Sequence, residues 1–145
     1  MTQDDTGFDW VRARAKCSAS EVYQDFAIQV KHDVKVRNET LSGKERKHEV
    51  NFIFNGGYEP TSLIVAAQKG GHFLQELRLA QVIFTKVPEG IAAEYPDGRK
   101  LVGTLTLSRE GECRLLVNGD EYSFWQFRKL TLEPILFDAV KEFRE

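Results

Sequence analysis

The sequence predicts an α+β domain: an antiparallel β-meander sheet of about five to seven strands packed by a long N-terminal helix and a C-terminal helix. Three observations predict it. An apolar stripe at helical spacing follows a capping signal, short alternating segments punctuated by glycine-bearing turns fill the middle, and a second amphipathic stripe closes the chain.

Ser18 and Glu21 have the spacing of a capping box, which places a helix start near Ala19. Val22, Phe26, Val30 and Val34 then recur at every fourth position, and Tyr23 and Ala27 widen the stripe. Gly43 offers a stop just after Leu41, so the helix is expected over residues 19–41. Ile28, Val30, His32, Val34 and Val36 also alternate as a strand would, but the cap and the length favour helix. Ile28 and Val36 then lie off the stripe and need cover of their own. The N-terminal segment, residues 1–17, offers Phe8 to Ala15 for that purpose, as a short helix opened by Thr6-x-x-Asp9.

Residues 48–129 read as the sheet. Val50, Phe52 and Phe54 alternate ahead of Asn55-Gly56-Gly57; Ser62 to Gln68 follows, and Phe73 to Val87 has no internal turn signal. Pro88-Glu89-Gly90, Pro96-Asp97-Gly98, Arg109-Glu110-Gly111 and Asn118-Gly119 supply reverse turns. Between them lie Ile91 to Tyr95, Leu101 to Leu107, Cys113 to Val117 and Tyr122 to Lys129. The closing helix is expected over residues 132–143, with Thr131 as N-cap, Pro134 in the first turn, and Ile135, Leu136, Ala139, Val140 and Phe143 on one face. Both faces of the sheet carry apolar residues. Val102, Thr104 and Thr106 are only mildly polar opposite Leu101 and Leu105, and Gly103 leaves a gap on the leucine side.

With 145 residues the chain is sized for a single domain, and its 41% hydrophobic and 29% charged content is ordinary for a globular protein. Its 20 basic and 22 acidic residues give a net charge of −2, too weak a field to gather nucleic acid or anionic lipid, so neither is expected as a partner. No run is long and apolar enough for a membrane span, and Met1 to Thr6 is polar and acidic where a signal peptide would be basic then apolar, which points to the cytoplasm. There, Cys17 and Cys113 are expected as buried free thiols, and the sequon Asn38-Glu39-Thr40 goes unused.

The residues that carry chemistry form no catalytic or metal-binding pattern. His32, His48 and His72 match no ligand spacing, and adjacent His32 and Asp33 point too far apart on a helix to bond as a dyad. Asn55-Gly56-Gly57 and Gly70-Gly71 lack the lysine and following helix of a phosphate loop. Lys44 to His48, with Arg12, Arg14 and Lys16, form basic clusters that read as solvated surface. No catalytic residue, metal ligand or cofactor is therefore assigned. The aromatic segment ending the sheet supplies the pocket candidates: Tyr122, Trp125 and Gln126, expected to line a cavity between sheet and long helix.

The order helix, meander, helix resembles in outline the α+β architectures that fold a sheet around a long helix, cystatin-like and helix-grip folds among them. No motif ties the chain to one family. The expected function is a non-catalytic binding or protein-interaction domain, self-associating as a homodimer through the surplus sheet face. A small-molecule binder or enzyme, with its pocket between the sheet and the long helix, is the alternative.

Overall fold

The long helix does begin at Ala19, as α2 (Ala19–Glu39), and it follows a short helix α1 (Trp10–Lys16). The computed structural model describes residues 7–56, 61–70 and 76–144; Thr6, Gly57, Gly71, His72 and Phe73 of the sequence reading lie outside them. Among the described residues seven strands form one antiparallel sheet in chain order: β1 (Asn51–Asn55), β2 (Ser62–Gly70), β3 (Glu76–Val87), β4 (Gly90–Glu94), β5 (Lys100–Leu107), β6 (Cys113–Val117) and β7 (Asp120–Tyr122). The meander, the long N-terminal helix and a C-terminal helix give the expected α+β class.

Register follows from alternation. Phe54, Val65 and Val82 lie side by side across β1 to β3, and Leu63, Phe84, Ala93 and Leu101 across β2 to β5, all on one face. The turn between β6 and β7 is Asn118-Gly119, with φ of 52° and 88°, the positive pair that a two-residue hairpin turn of matching twist requires.

Tyr23, Phe26, Val30 and Val34 of α2 bury themselves on that face. Phe26 meets the Phe84 ring edge-on at 5.3 Å and Phe127 at 6.0 Å. The gap at Gly103 is filled: a Cβ there would stand 3.1 Å from both Leu115 Cδ2 and Phe127 Cε1. Phe127 comes from the C-terminal helix α4 (Phe124–Leu136), which covers the rest of the face.

That helix starts well before the expected Leu132. Phe124, Trp125 and Phe127 mimic a strand by alternation, but Ser123 and Gln126 form a capping box. The Gln126 amide donates to Ser123 Oγ at 3.2 Å, and the Ser123 amide donates to Gln126 Oε1 at 2.9 Å. The last strand therefore stops at Tyr122. Thr131, expected as N-cap, is buried in mid-helix and donates its hydroxyl to the Phe127 carbonyl at 2.8 Å. Pro134 lies inside α4, and after Phe137 the chain tightens into a 3₁₀ segment, Asp138–Phe143.

Other local expectations shift in the same way. Ser18 makes no capping bond to the backbone although α2 starts beside it. Lys44 to Lys47 is not a loop but a short helix α3 (Gly43–Lys47), opened by the capping box Ser42 and Glu45. α1 is capped by Asp9, which accepts from the Arg12 amide at 3.0 Å, and it packs near β5 and not over Ile28 or Val36, which stay exposed.

Cys17 and Cys113 are joined in a disulfide, with Cα atoms 5.4 Å apart, which corrects the expectation of free thiols. Cys17 ends α1 and Cys113 begins β6, so packing α1 beside the β5–β6 hairpin brings the two sulfurs together. At the other edge of the sheet, the Asn38 side chain accepts from the Phe52 amide at 2.9 Å and donates to the Phe52 carbonyl at 2.8 Å. The amide group stands where a further strand would pair with β1.

Candidate functional site

Where α2 and α4 meet above the sheet, they leave a groove of about 470 Å³. Leu132 and Leu136 of α4 line it together with Val36 of α2, with Trp125 and Phe137 beside them. Trp125 is 58% exposed, Val36 39% and Phe137 36%, so three of the exposed large apolar side chains among the described residues gather at one place.

A buried ion pair builds the far end of this groove. Arg37 Nε donates to the Leu136 carbonyl at 2.7 Å, and both terminal nitrogens donate to the Glu45 carboxylate. The guanidinium lies 4.9 Å from the Phe52 ring centre and 4.5 Å from that of Phe137. Burial alone pushes the Glu45 carboxyl up, but the hydrogen bonds from Arg37 and Ser42 and the Arg37 charge outweigh it and hold the carboxyl below its ordinary value. One arginine thus ties α2, α3, α4 and β1 together. Sequence reading missed it, although Ser42-x-x-Glu45 was there as a capping signal that would have taken Glu45 out of the solvated loop.

The aspartate, glutamate, arginine and lysine side chains along the groove are paired. Arg128 Nε donates to Asp33 at 2.7 Å, joining α4 to α2, and Lys129 donates to Glu133 at 3.2 Å. Asp33 thus serves Arg128 and not its neighbour His32. Among the described residues no group of three His, Cys, Asp or Glu side chains is placed to hold a metal ion.

The three predicted pocket residues come together, but elsewhere than expected. Tyr122, Trp125 and Gln126 line a second recess of about 450 Å³ on the outer side of α4, with Leu130 and Pro134 on its wall and Glu121, Glu133 and Asp138 around it. Trp125 and Gln126 do not reach the space between the sheet and α2, because the helix register turns Phe127 inward and these two out to solvent, whereas Tyr122 of β7, opposite Leu115, packs against the edge of the core. Trp125, Lys129 and Glu133 line both recesses, with Trp125 the aromatic part of the ridge between them.

A smaller hollow of about 280 Å³ lies beside Tyr23, Ile28 and Phe54. The Tyr23 hydroxyl is buried with no hydrogen-bond partner among the described residues, and burial pushes it up to about 12.

Compared with known proteins, the chain matches no family model, no curated protein and no solved structure. No described helix is long and apolar enough to cross a membrane.

Proposed function

We infer that the chain is a non-catalytic binding module whose docking surface is centred on Trp125. One observation carries this reading. A large aromatic side chain stands exposed between two concave recesses, one of them lined by Val36, Leu132, Leu136 and Phe137 and of a size ordinary for a ligand or peptide site, about 300–1,000 Å³. The charges beside it, Arg128 with Asp33 and Lys129 with Glu133, neutralise each other, so they frame an apolar contact.

The test is an amide NMR titration with an anilinonaphthalene sulfonate dye as a generic apolar probe. Shifts should gather at Val36, Trp125, Lys129 and Leu132, and Trp125→Ala should abolish them. Shifts on the sheet strands, or none at all, overturn the reading.

A second reading, self-association through the sheet, is favoured by a specific feature. The face away from α2 and α4 carries Ile53, Ile64, Ile83 and Leu116 half-buried and Val102 exposed. Sedimentation of Ile64→Lys against the parent chain tests it, with loss of a dimer expected and an unchanged profile counting against it.

The cytoplasm is the expected compartment. The Cys17–Cys113 bridge weighs towards an oxidising compartment instead. A thiol count on protein isolated under alkylating conditions decides between them: no reactive thiol supports the bridge in the cell, two support the cytoplasm.

A further inference from the structure

We propose that the Trp125 surface receives helix α1 of a second copy of this chain, so that two copies exchange their N-terminal helices in a closed, two-fold dimer. The proposal rests on the Trp125 surface being the docking site and adds the identity of what docks there.

The helix α1 is poorly used within its own chain. None of its residues is buried, Trp10 is 62% and Val11 59% exposed, and its C-terminal end is fastened by the Cys17–Cys113 bridge. Phe8, just ahead of it, is 36% exposed and rests its ring edge on Gly111, where a Cβ would clash with Phe8 Cζ. A two-turn helix showing a tryptophan and a valine to solvent is an unsatisfied apolar element of the kind that lays itself into a groove.

Charge then selects the recess. α1 carries Arg12, Arg14 and Lys16 against Asp9 alone. The recess outside α4 is flanked by Glu121, Glu133 and Asp138 against Lys129 alone, and neither Glu121 nor Asp138 has an ion-pair partner among the described residues. Between these acids lie Tyr122, Trp125 and Pro134, apolar surface for Trp10 and Val11 to cover. A basic amphipathic helix and an acidic recess with an aromatic ridge are complementary in both respects.

α1 packs near β5, and the recess begins at β7, two strands away towards the same edge of the sheet. A helix of each copy seated in the recess of the other is a reciprocal contact under a two-fold axis, and the assembly then closes at two copies.

The experiment is a charge exchange read by sedimentation velocity on the full chain. One variant is Arg14→Glu with Lys16→Glu, the other Glu121→Lys with Asp138→Lys; all four positions are at the surface, and circular dichroism checks the fold of each. The parent chain is expected to dimerise, and each variant alone should dimerise at least about tenfold more weakly. Mixed in equal amounts the two should regain the parent's association, because each reversed helix then faces a reversed recess. A merely structural role for these charges gives no such rescue.

A parent chain that stays monomeric, or a dimer that neither variant weakens, overturns the exchange. If Trp125→Ala weakens the dimer while the mixture shows no rescue, the occupant is not α1 and the Trp125 docking surface survives. If the dye titration also fails to map to Trp125, that surface fails as well.

Discussion

The two faces of the sheet are built from similar residues and have different fates. On the face under α2 and α4, Leu63, Val65, Val82, Phe84, Ile91 and Leu115 are fully buried. On the far face, Ile53, Ile64, Ile83 and Leu116 are only half-buried, with Thr85, Thr104 and Gln81 among them. Side-chain hydrophobicity hardly distinguishes Ile83 from its neighbours Val82 and Phe84; what lies above them does. Alternation therefore says which residues share a face, and tertiary packing decides which face becomes core.

Mutations at the two faces break or sharpen this comparison. The largest expected effect is at the covered face: Phe127→Ala should cost about 3–5 kcal/mol in denaturant unfolding, since it empties the space that Gly103 leaves against Leu115. Close behind comes the pair at the rim of that face, where Glu45→Gln strands the buried Arg37 charge and should cost about 3 kcal/mol at neutral pH. Because the Glu45 carboxyl sits below its ordinary value when folded, its contribution is present above the unfolded value and lost as pH falls through the folded one. The difference between parent and variant should thus shrink below about pH 4, and a gap constant down to acid unfolding counts against the pair.

Tyr23→Phe works in the opposite direction. It removes a buried hydroxyl without a partner and should raise stability by about 1 kcal/mol. The parent, whose folded phenol is pushed up to about 12, should lose stability between its unfolded value near 10 and that value, and the variant should lose less. The smallest effect is expected on the far face, where Ile83→Thr should cost under about 1 kcal/mol in the isolated chain. A cost there approaching that of Phe127→Ala would mean that the far face is covered in solution.

The sequence carried α2, the strand alternation and the glycine turns plainly, because each depends on residues a few positions apart. Asn118-Gly119 needs only its own two dihedrals, and Phe26, Val30 and Val34 only one helix turn each. The segment after Tyr122 was misread because Phe124, Trp125 and Phe127 alternate as a strand does, while the deciding evidence was Ser123 and Gln126, three residues apart. The cysteine pairing was out of reach, since nothing in two cysteines with a sequence separation of 96 records that α1 packs beside the β5–β6 hairpin. Of the candidate site, the three residues Tyr122, Trp125 and Gln126 were picked out for their chemistry and do share a recess, yet their setting was not legible. The groove beside them exists only because α2 and α4 come together, which local pattern cannot foresee.

The Cys17–Cys113 bond closes most of the chain into a covalent ring and leaves two tails outside it. Inside the ring lie α2 and the strands β1 to β5; outside it lie α1 on one side and most of β6, β7, α4 and the 3₁₀ segment on the other. A protease that cuts once at an exposed point within the ring, such as the Asp97–Arg99 turn, releases nothing until the bond is reduced. A cut after β7 frees α4, and with it Trp125, at once. The helix that carries the proposed docking surface is thus held by packing alone, while α2 and the strands β1 to β5 share one covalent ring.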